Sequence, residues 1–185
     1  MEKSDLEIIA EHLASDENAF AELVRRYFES VYAFAYRITR SQDTAEDVTQ
    51  ETFVKAWKNI TRYKKEHNFK TWLFTIARNT AFDLARKRKL TALSEFEDDR
   101  GENILLSTTA DSAPTPLDES ILNEEAEQVR HMLGKLSPAH QEILHLRYGE
   151  ELSFEEISLV TGKPLSTVKS QCRRALIELR QIIAT

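Results

Sequence analysis

Nine residues between positions 19 and 38 (Ala19, Phe20, Leu23, Val24, Tyr27, Val31, Phe34, Ala35 and Ile38) recur at three- and four-residue intervals. Spacing near 3.6 places them on one stripe of an α-helix, whereas a strand would scatter them over both faces of a sheet. The same period returns downstream. Ala45, Val48, Phe53, Ala56 and Trp57 mark a second inward face, and Phe69, Trp72, Leu73, Ile76, Ala77, Thr80 and Leu84 a third. Only 4 Gly and 4 Pro occur in 185 residues, too few for the turns of a sandwich or barrel. The pattern predicts an all-α chain.

Punctuation marks the helix ends. Ser41 to Asp43 break the first helix, and Asp43-Thr44-Ala45-Glu46 has capping-box spacing, with Asp43 as acceptor and Glu46 reaching back. A basic, aromatic loop from Arg62 to Asn68 precedes the third helix, which ends in Arg86-Lys87-Arg88-Lys89. Further on, Leu122 to Leu136 forms a helix, Ser137-Pro138 caps another, and Ser153-Phe154-Glu155-Glu156 is a capping box opening the next. That helix closes at Thr161-Gly162, and a last one runs from Pro164–Ser166 to the C-terminus. The pair joined through Gly162 makes a helix-turn-helix. In its second helix Leu165, Val168, Cys172, Leu176 and Leu179 share the packing face.

The net charge of −6 argues against a nucleic-acid partner until it is partitioned. Residues 1–90 hold 16 basic and 14 acidic side chains, residues 91–123 hold Arg100 against eight acids, and residues 124–185 hold 8 basic and 9 acidic. The acidic excess therefore belongs to the middle, which lacks an apolar period and reads as a flexible acidic linker over 91–121. It joins two small helical domains, 1–90 and 122–185. The short apolar patch Ile104-Leu105-Leu106 within it reads as a passing contact. Arg62 to Lys89 is locally +7 and Lys163 to Arg180 locally +4.

Three constellations can carry function. Lys169, Ser170, Arg173 and Arg174 lie opposite the apolar face of the last helix, where a recognition helix meets a major groove; the bland alternative is a solvated basic face. Tyr63, Phe69, Trp72, Phe74 and Phe82 interleave with Lys64, Lys65, Lys70, Arg78 and Arg86 to Lys89, a combination that suits single-stranded nucleic acid. Trp72 and Leu73 read instead as core, and periodicity leaves the Tyr63 to Asn68 loop and Asn79 undecided. Asp43, Glu46, Asp47, Gln50 and Glu51 form an acidic stripe: a solvated face, a protein-docking surface, or paired carboxylates for acid/base or metal chemistry. The five histidines are scattered, His140 and His145 lie five apart, and Cys172 is the only cysteine. No metal site, disulfide or catalytic pair is expected. Met1 to Glu7 lacks a signal-peptide pattern and no run approaches a membrane span, so a cytoplasmic protein without membrane insertion is expected.

Taken together, these segments resemble the extracytoplasmic-function subfamily of sigma-70 factors. Asp43-Thr44-Ala45-Glu46-Asp47-Val48-Thr49-Gln50-Glu51-Thr52-Phe53 is similar to region 2.2, and Phe69-Lys70-Thr71-Trp72-Leu73-Phe74-Thr75-Ile76-Ala77-Arg78-Asn79 to the region 2.3/2.4 helix. Leu152-Ser153-Phe154-Glu155-Glu156-Ile157 and Pro164-Leu165-Ser166-Thr167-Val168-Lys169-Ser170 resemble the helix-turn-helix of region 4. The resemblance implies a two-domain bacterial initiation factor that performs no chemistry and needs no cofactor. It makes Asp43, Glu46, Asp47, Gln50 and Glu51 the docking site for the β′ clamp helices of core RNA polymerase, with β as a further partner surface. It gives Tyr63, Lys64, Lys65, His67, Asn68, Ile76, Asn79, Arg86 and Lys87 to the single-stranded −10 element, with a pocket for a flipped base. Lys169, Ser170, Arg173 and Arg174 fall to the duplex −35 element, and the linker to a path through the polymerase cleft. An anti-sigma factor is an implied partner. Ser166 and Gln171 depart from the family's usual Gly and Arg, which bears on −35 preference. The rival readings are a freestanding helix-turn-helix regulator and a carboxylate hydrolase built on the acidic helix.

Overall fold

The computed structural model describes residues 3–14, 16, 18–64, 66, 68–95, 129 and 131–184, the side chains of 88–95 excepted. The chain is all-helical, with no strand among the described residues. Helix α1 spans Asp5–Leu13 and was not singled out by periodicity. Its signal was Ser4-x-x-Glu7: the Glu7 N–H donates to Ser4 Oγ (3.3 Å) and the Ser4 N–H to Glu7 Oε2 (2.8 Å). Ile8 and Ile9 are buried, and the Asp5 carboxylate accepts from Arg26 and the Tyr27 hydroxyl, both at 2.6 Å, which ties α1 to α2.

Helix α2 is Ala19–Thr39, as the apolar stripe predicts, and ends at Arg40 in the left-handed region (φ 54°). Helix α3 is Gln42–Asn59. Its cap corrects the expected one: Ser41 Oγ, not Asp43, accepts from the Thr44 N–H (3.3 Å), so Asp43 sits inside the first turn. Trp57 was assigned inward and is instead 53% exposed. A short 3₁₀ turn, Ile60–Arg62, leads to the loop before helix α4, Phe69–Glu95. Helix α4 continues past position 90, where the first domain was expected to end. The rest of the expected linker, with Ile104 to Leu106, lies outside the described residues.

In the second unit residues 131–134 are helical; of the expected Leu122 to Leu136 helix, 122–128 and 130 lie outside the described residues. Helix α5, Pro138–Leu144, is capped by Ser137 and runs on into a five-residue π turn, His145–Gly149. A Cβ at position 149 would stand 2.7 Å from the His145 ring, so this turn requires glycine. Helix α6, Phe154–Thr161, opens on the expected capping box and closes at Gly162 (φ 66°). Helix α7, Leu165–Ile183, buries Val168, Cys172 and Ala175. Leu176, expected on that face, is 41% exposed, and its neighbour Ala175 is buried instead.

The two units pack against each other through α4 on α6 and α2 on α5. Their buried residues form one apolar cluster that includes Phe34, Phe69 and Phe74 from the first and Leu146, Leu152 and Ile157 from the second. Polar contacts rim it. Lys70 Nζ donates to the Glu150 carboxylate (2.7 Å) and carbonyl (2.9 Å), and Arg78 Nε to Glu142 (2.7 Å). Thr71 Oγ1 donates to Glu156 (3.0 Å), and the Arg40 guanidinium to Gln141.

Candidate nucleic-acid and protein interfaces

Helix α7 is aimed by local chemistry. The Ser153–Glu156 box fixes where α6 begins, the left-handed Gly162 turns the chain, and Pro164 N-caps α7. With Val168 and Cys172 buried, Lys169, Arg173 and Arg174 are exposed and Ser170 half-buried. These four, with Ser166 and Ile177, line a shallow cavity of about 500 Å³. Arg174 Nη2 lies 3.4 Å from Ser170 Oγ, and Lys169 Nζ stands 5.9 Å from the Phe154 ring. The expected DNA-reading set is thus on one face. Gln171 accepts from Lys163 Nζ (3.1 Å), so its side chain is held against the turn. Burial raises the Cys172 thiol's pKa, as befits a small core residue.

Along α3, Asp43, Glu46, Asp47 and Gln50 are exposed on one face. Glu51 is half-buried and pairs with Lys55 (2.9 Å), whose Nζ also donates to Thr80 Oγ1 of α4 (3.1 Å). Beneath the stripe, Thr49 and Thr52 are buried and donate to the carbonyls of Ala45 (2.7 Å) and Val48 (2.6 Å). The same three- and four-residue spacing carries the stripe on into exposed Val54 and Trp57, beside an exposed Phe28 that stacks on Phe53 (6.3 Å). Sequence reasoning missed this apolar end; its signal was the 43–47–50–54–57 spacing. Among the described residues no three His, Cys, Asp or Glu side chains gather as a metal site needs.

The third set is split. Tyr63 packs on Phe69 (5.7 Å) and Trp72 (5.5 Å), next to exposed Lys64. Trp72, Ile76 and Asn79 follow one another along one face of α4, with Arg86 and Lys87 exposed further on; Arg86 pairs with Asp83 (3.2 Å). Lys65 and His67 lie outside the described residues. Asn68 is drawn elsewhere: its Oδ1 accepts from the Lys70 N–H (3.0 Å) and its side chain bonds to Glu156. Lys70 and Arg78, counted with the basic stretch, face the second unit's carboxylates instead. The local charge of this stretch therefore overstates what solvent meets.

Electrostatics in the seam follow from burial. Burial raises the pKa of Glu156, but hydrogen bonds from Ser153, Thr71 and Asn68 outweigh it and hold the carboxyl below the usual range. The His145 ring stacks on Phe34 (6.0 Å), and its Nε2 has no hydrogen-bond partner, lying 3.4 Å from Glu150 Oε1. Burial, then the nearby Arg37 and Lys70 charges, push its pKa down to about 3, so it is neutral. Glu150 is already engaged by Lys70.

Residues 23–91 match the family model for sigma-70 region 2, and residues 132–181 that for sigma-70 region 4. RNA polymerase sigma factor YlaC of Bacillus subtilis is 32% identical over 89% of this chain and 91% of its own. ECF RNA polymerase sigma factor SigW of the same organism is 30% identical over 90% and 89%. Among solved structures, the sigma factor RpoE of Bartonella quintana, in complex with the anti-sigma factor NepR, has a TM-score of 0.66 at 25% identity, covering 91% of this chain and 98% of that one. No helix among the described residues is long and apolar enough to cross a membrane.

Proposed function

This chain belongs to the extracytoplasmic-function sigma factors of the sigma-70 family, which bind core RNA polymerase and direct promoter-specific initiation, and we propose how its surfaces divide that work. The carrying observation is the placement of two oppositely charged surfaces on different units: the carboxylate stripe of α3 and the exposed Lys169, Arg173 and Arg174 of α7. Carboxylates repel phosphate, so the stripe faces protein; Asp43, Glu46, Asp47, Gln50 and Glu51, extended by Val54 and Trp57, dock on the β′ clamp helices. The α7 face enters the duplex major groove at the −35 element, where Lys and Arg reach guanine edges and Ser170 holds a phosphate or base.

Tyr63, Ile76 and Asn79, flanked by Lys64, Lys65, His67, Asn68, Arg86 and Lys87, receive the melted −10 strand. Extruding a base costs a few kcal/mol, and a stacking platform beside polar side chains recovers it. The domains divide as 1–90 and 122–185 around a linker. The protein works in the cytoplasm as a regulator without catalysis, and an anti-sigma factor is a further expected partner.

Run-off transcription tests the reading. Promoter-specific transcripts should appear with core enzyme only when this protein is added; tight operator binding without core, and no transcripts with it, would indicate a freestanding regulator. Asp47→Arg should abolish co-purification with β′ while circular dichroism stays unchanged. Undiminished co-purification would remove the docking assignment.

A further inference from the structure

Phe69 opens α4, so no earlier turn of that helix lies beneath its ring, and whatever holds the ring must come from elsewhere. It is held closely, at 1% exposure. Three rings contact it, each with its centroid 5.7 Å away: Tyr63 edge-on, Trp72, and Tyr27 of α2. Distances of this size are those of favourable aromatic pairs. Tyr63 and Trp72 are also 5.5 Å from each other and half-buried, on the candidate −10 face. Tyr27 is no part of that face, and its outer end is tied down. Its hydroxyl donates to Asp5 Oδ2 (2.6 Å), while Arg26 donates to Asp5 Oδ1 (2.6 Å) and to the Lys3 carbonyl (2.8 Å). A hydroxyl bonded to a carboxylate at this length is among the stronger hydrogen bonds, and the Asp5 side chain is only 17% exposed. Burial, and then the Asp5 bond, raise the pKa of Tyr27, so the hydroxyl keeps the proton it donates. The Asp5 charge reaches Tyr63 as well, whose pKa rises first through burial and second through that charge. Asp5 is the first residue of α1, a helix seated by buried Ile8 and Ile9 and lying ahead of the matched residues 23–91.

We propose that Asp5 and Tyr27 are positioning residues for base capture: α1 fixes the Tyr27 ring, that ring fixes Phe69, and Phe69 sets the angle at which Tyr63 and Trp72 meet an unstacked base. This rests on the −10 reading of Tyr63. Neither Asp5 nor Tyr27 needs to touch DNA. A base gains from a ring only when the ring is held in the right plane, whereas contacts to phosphate tolerate a tilted ring. Loosening the tie therefore lowers the preference for one base and leaves the rest of the strand as well held as before. A tie that merely kept α1 in place would lower binding at every position alike.

The test is base preference, position by position. Single-stranded DNA oligonucleotides with a randomised centre are captured by holoenzyme built from the full chain, and the bound strands are sequenced. Tyr63→Ala marks the position concerned, as the one whose preference it flattens. Tyr27→Phe keeps the ring and removes only the hydroxyl; it should weaken preference at that same position about five- to tenfold, the lower end of what one base stack is worth, with the other positions unchanged. Asp5→Ala should do the same. Asp5→Asn, which keeps an acceptor for the hydroxyl, should retain most of the preference. Asp5→Ala combined with Tyr27→Phe should lose no more than either alone, because both cut one link. Where Asp5→Ala unseats α1, Tyr27→Phe still leaves the Asp5–Arg26 pair in place and decides the matter. Full preference in Tyr27→Phe at the position that Tyr63→Ala flattens overturns this inference alone, and so does an equal loss at all positions. If Tyr63→Ala flattens no position, the −10 reading of Tyr63 fails and this inference falls with it.

Discussion

Helix α7 carries Lys169, Arg173 and Arg174 on its solvent side, whereas α4 turns Lys70 and Arg78 against Glu150 and Glu142 of the other unit. Both helices belong to basic stretches of the sequence. In α7 the buried face is set by neighbours in its own unit, so the remaining positions stay with solvent. In α4 one face packs on α2 and α3, a second meets α6, and only the Trp72–Ile76–Asn79 side is left outward. Basic side chains thus serve cohesion in one helix and stay with solvent in the other, and the number of packed neighbours decides which.

The sharpest way to break this comparison is Arg78→Ala. It strands the nearly buried Glu142 carboxylate and should cost about 3–5 kcal/mol in urea unfolding, with affinity for a single-stranded −10 sequence in holoenzyme unchanged. A loss of DNA affinity without loss of stability would return Arg78 to the recognition class. Arg173→Ala should do the reverse, costing about 1–3 kcal/mol at one −35 position with unfolding unaffected. An equal loss on every upstream sequence would make it a phosphate contact.

His145 supplies a pH arm to the cohesive side. Its folded pKa of about 3 lies below the usual 6.5, so the unfolded ring takes a proton that the folded one refuses. Its contribution is complete above about pH 7 and is lost as pH falls, with a slope of at most about 1.4 kcal/mol per pH unit between pH 6.5 and 3. Thermal melts at pH 7 and pH 5 should show the fall, and His145→Phe should flatten it. The smallest effect concerns the aiming of α7. At Gly162 a Cβ meets no atom, so Gly162→Ala feels only its left-handed backbone and should cost about 1 kcal/mol, read as a lower melting temperature.

What could be read from the sequence was local. The Ser153 box, the Ser137-Pro138 cap and Gly162 act within a few residues, and they placed the helix-turn-helix where it stands. Ser41, which lacks the box spacing, caps in place of Asp43 because the chain is still extended at Ser41 (φ −140°) and already helical at Asp43. Trp57 and Leu176 were misassigned because period gives the direction of a buried stripe but not its width. The seam was illegible: Arg78 and Glu142 lie 64 positions apart, and nothing near either residue announces the other. Sequence alone brought the α7 residues and the stripe's acids to their surfaces, but not the apolar end at Val54, Trp57 and Phe28.

Thr49 and Thr52 close their hydroxyls on carbonyls one turn back, within α3 itself. Those carbonyls keep their helical N–H partners if the hydroxyls go, so Thr49→Ala or Thr52→Val orphans nothing. The inner and outer faces of α3 are therefore separable over evolutionary time. The two threonine positions on the buried side can drift among small residues without disturbing the exposed acids, so divergence at Thr49 and Thr52 should leave the outer stripe unchanged.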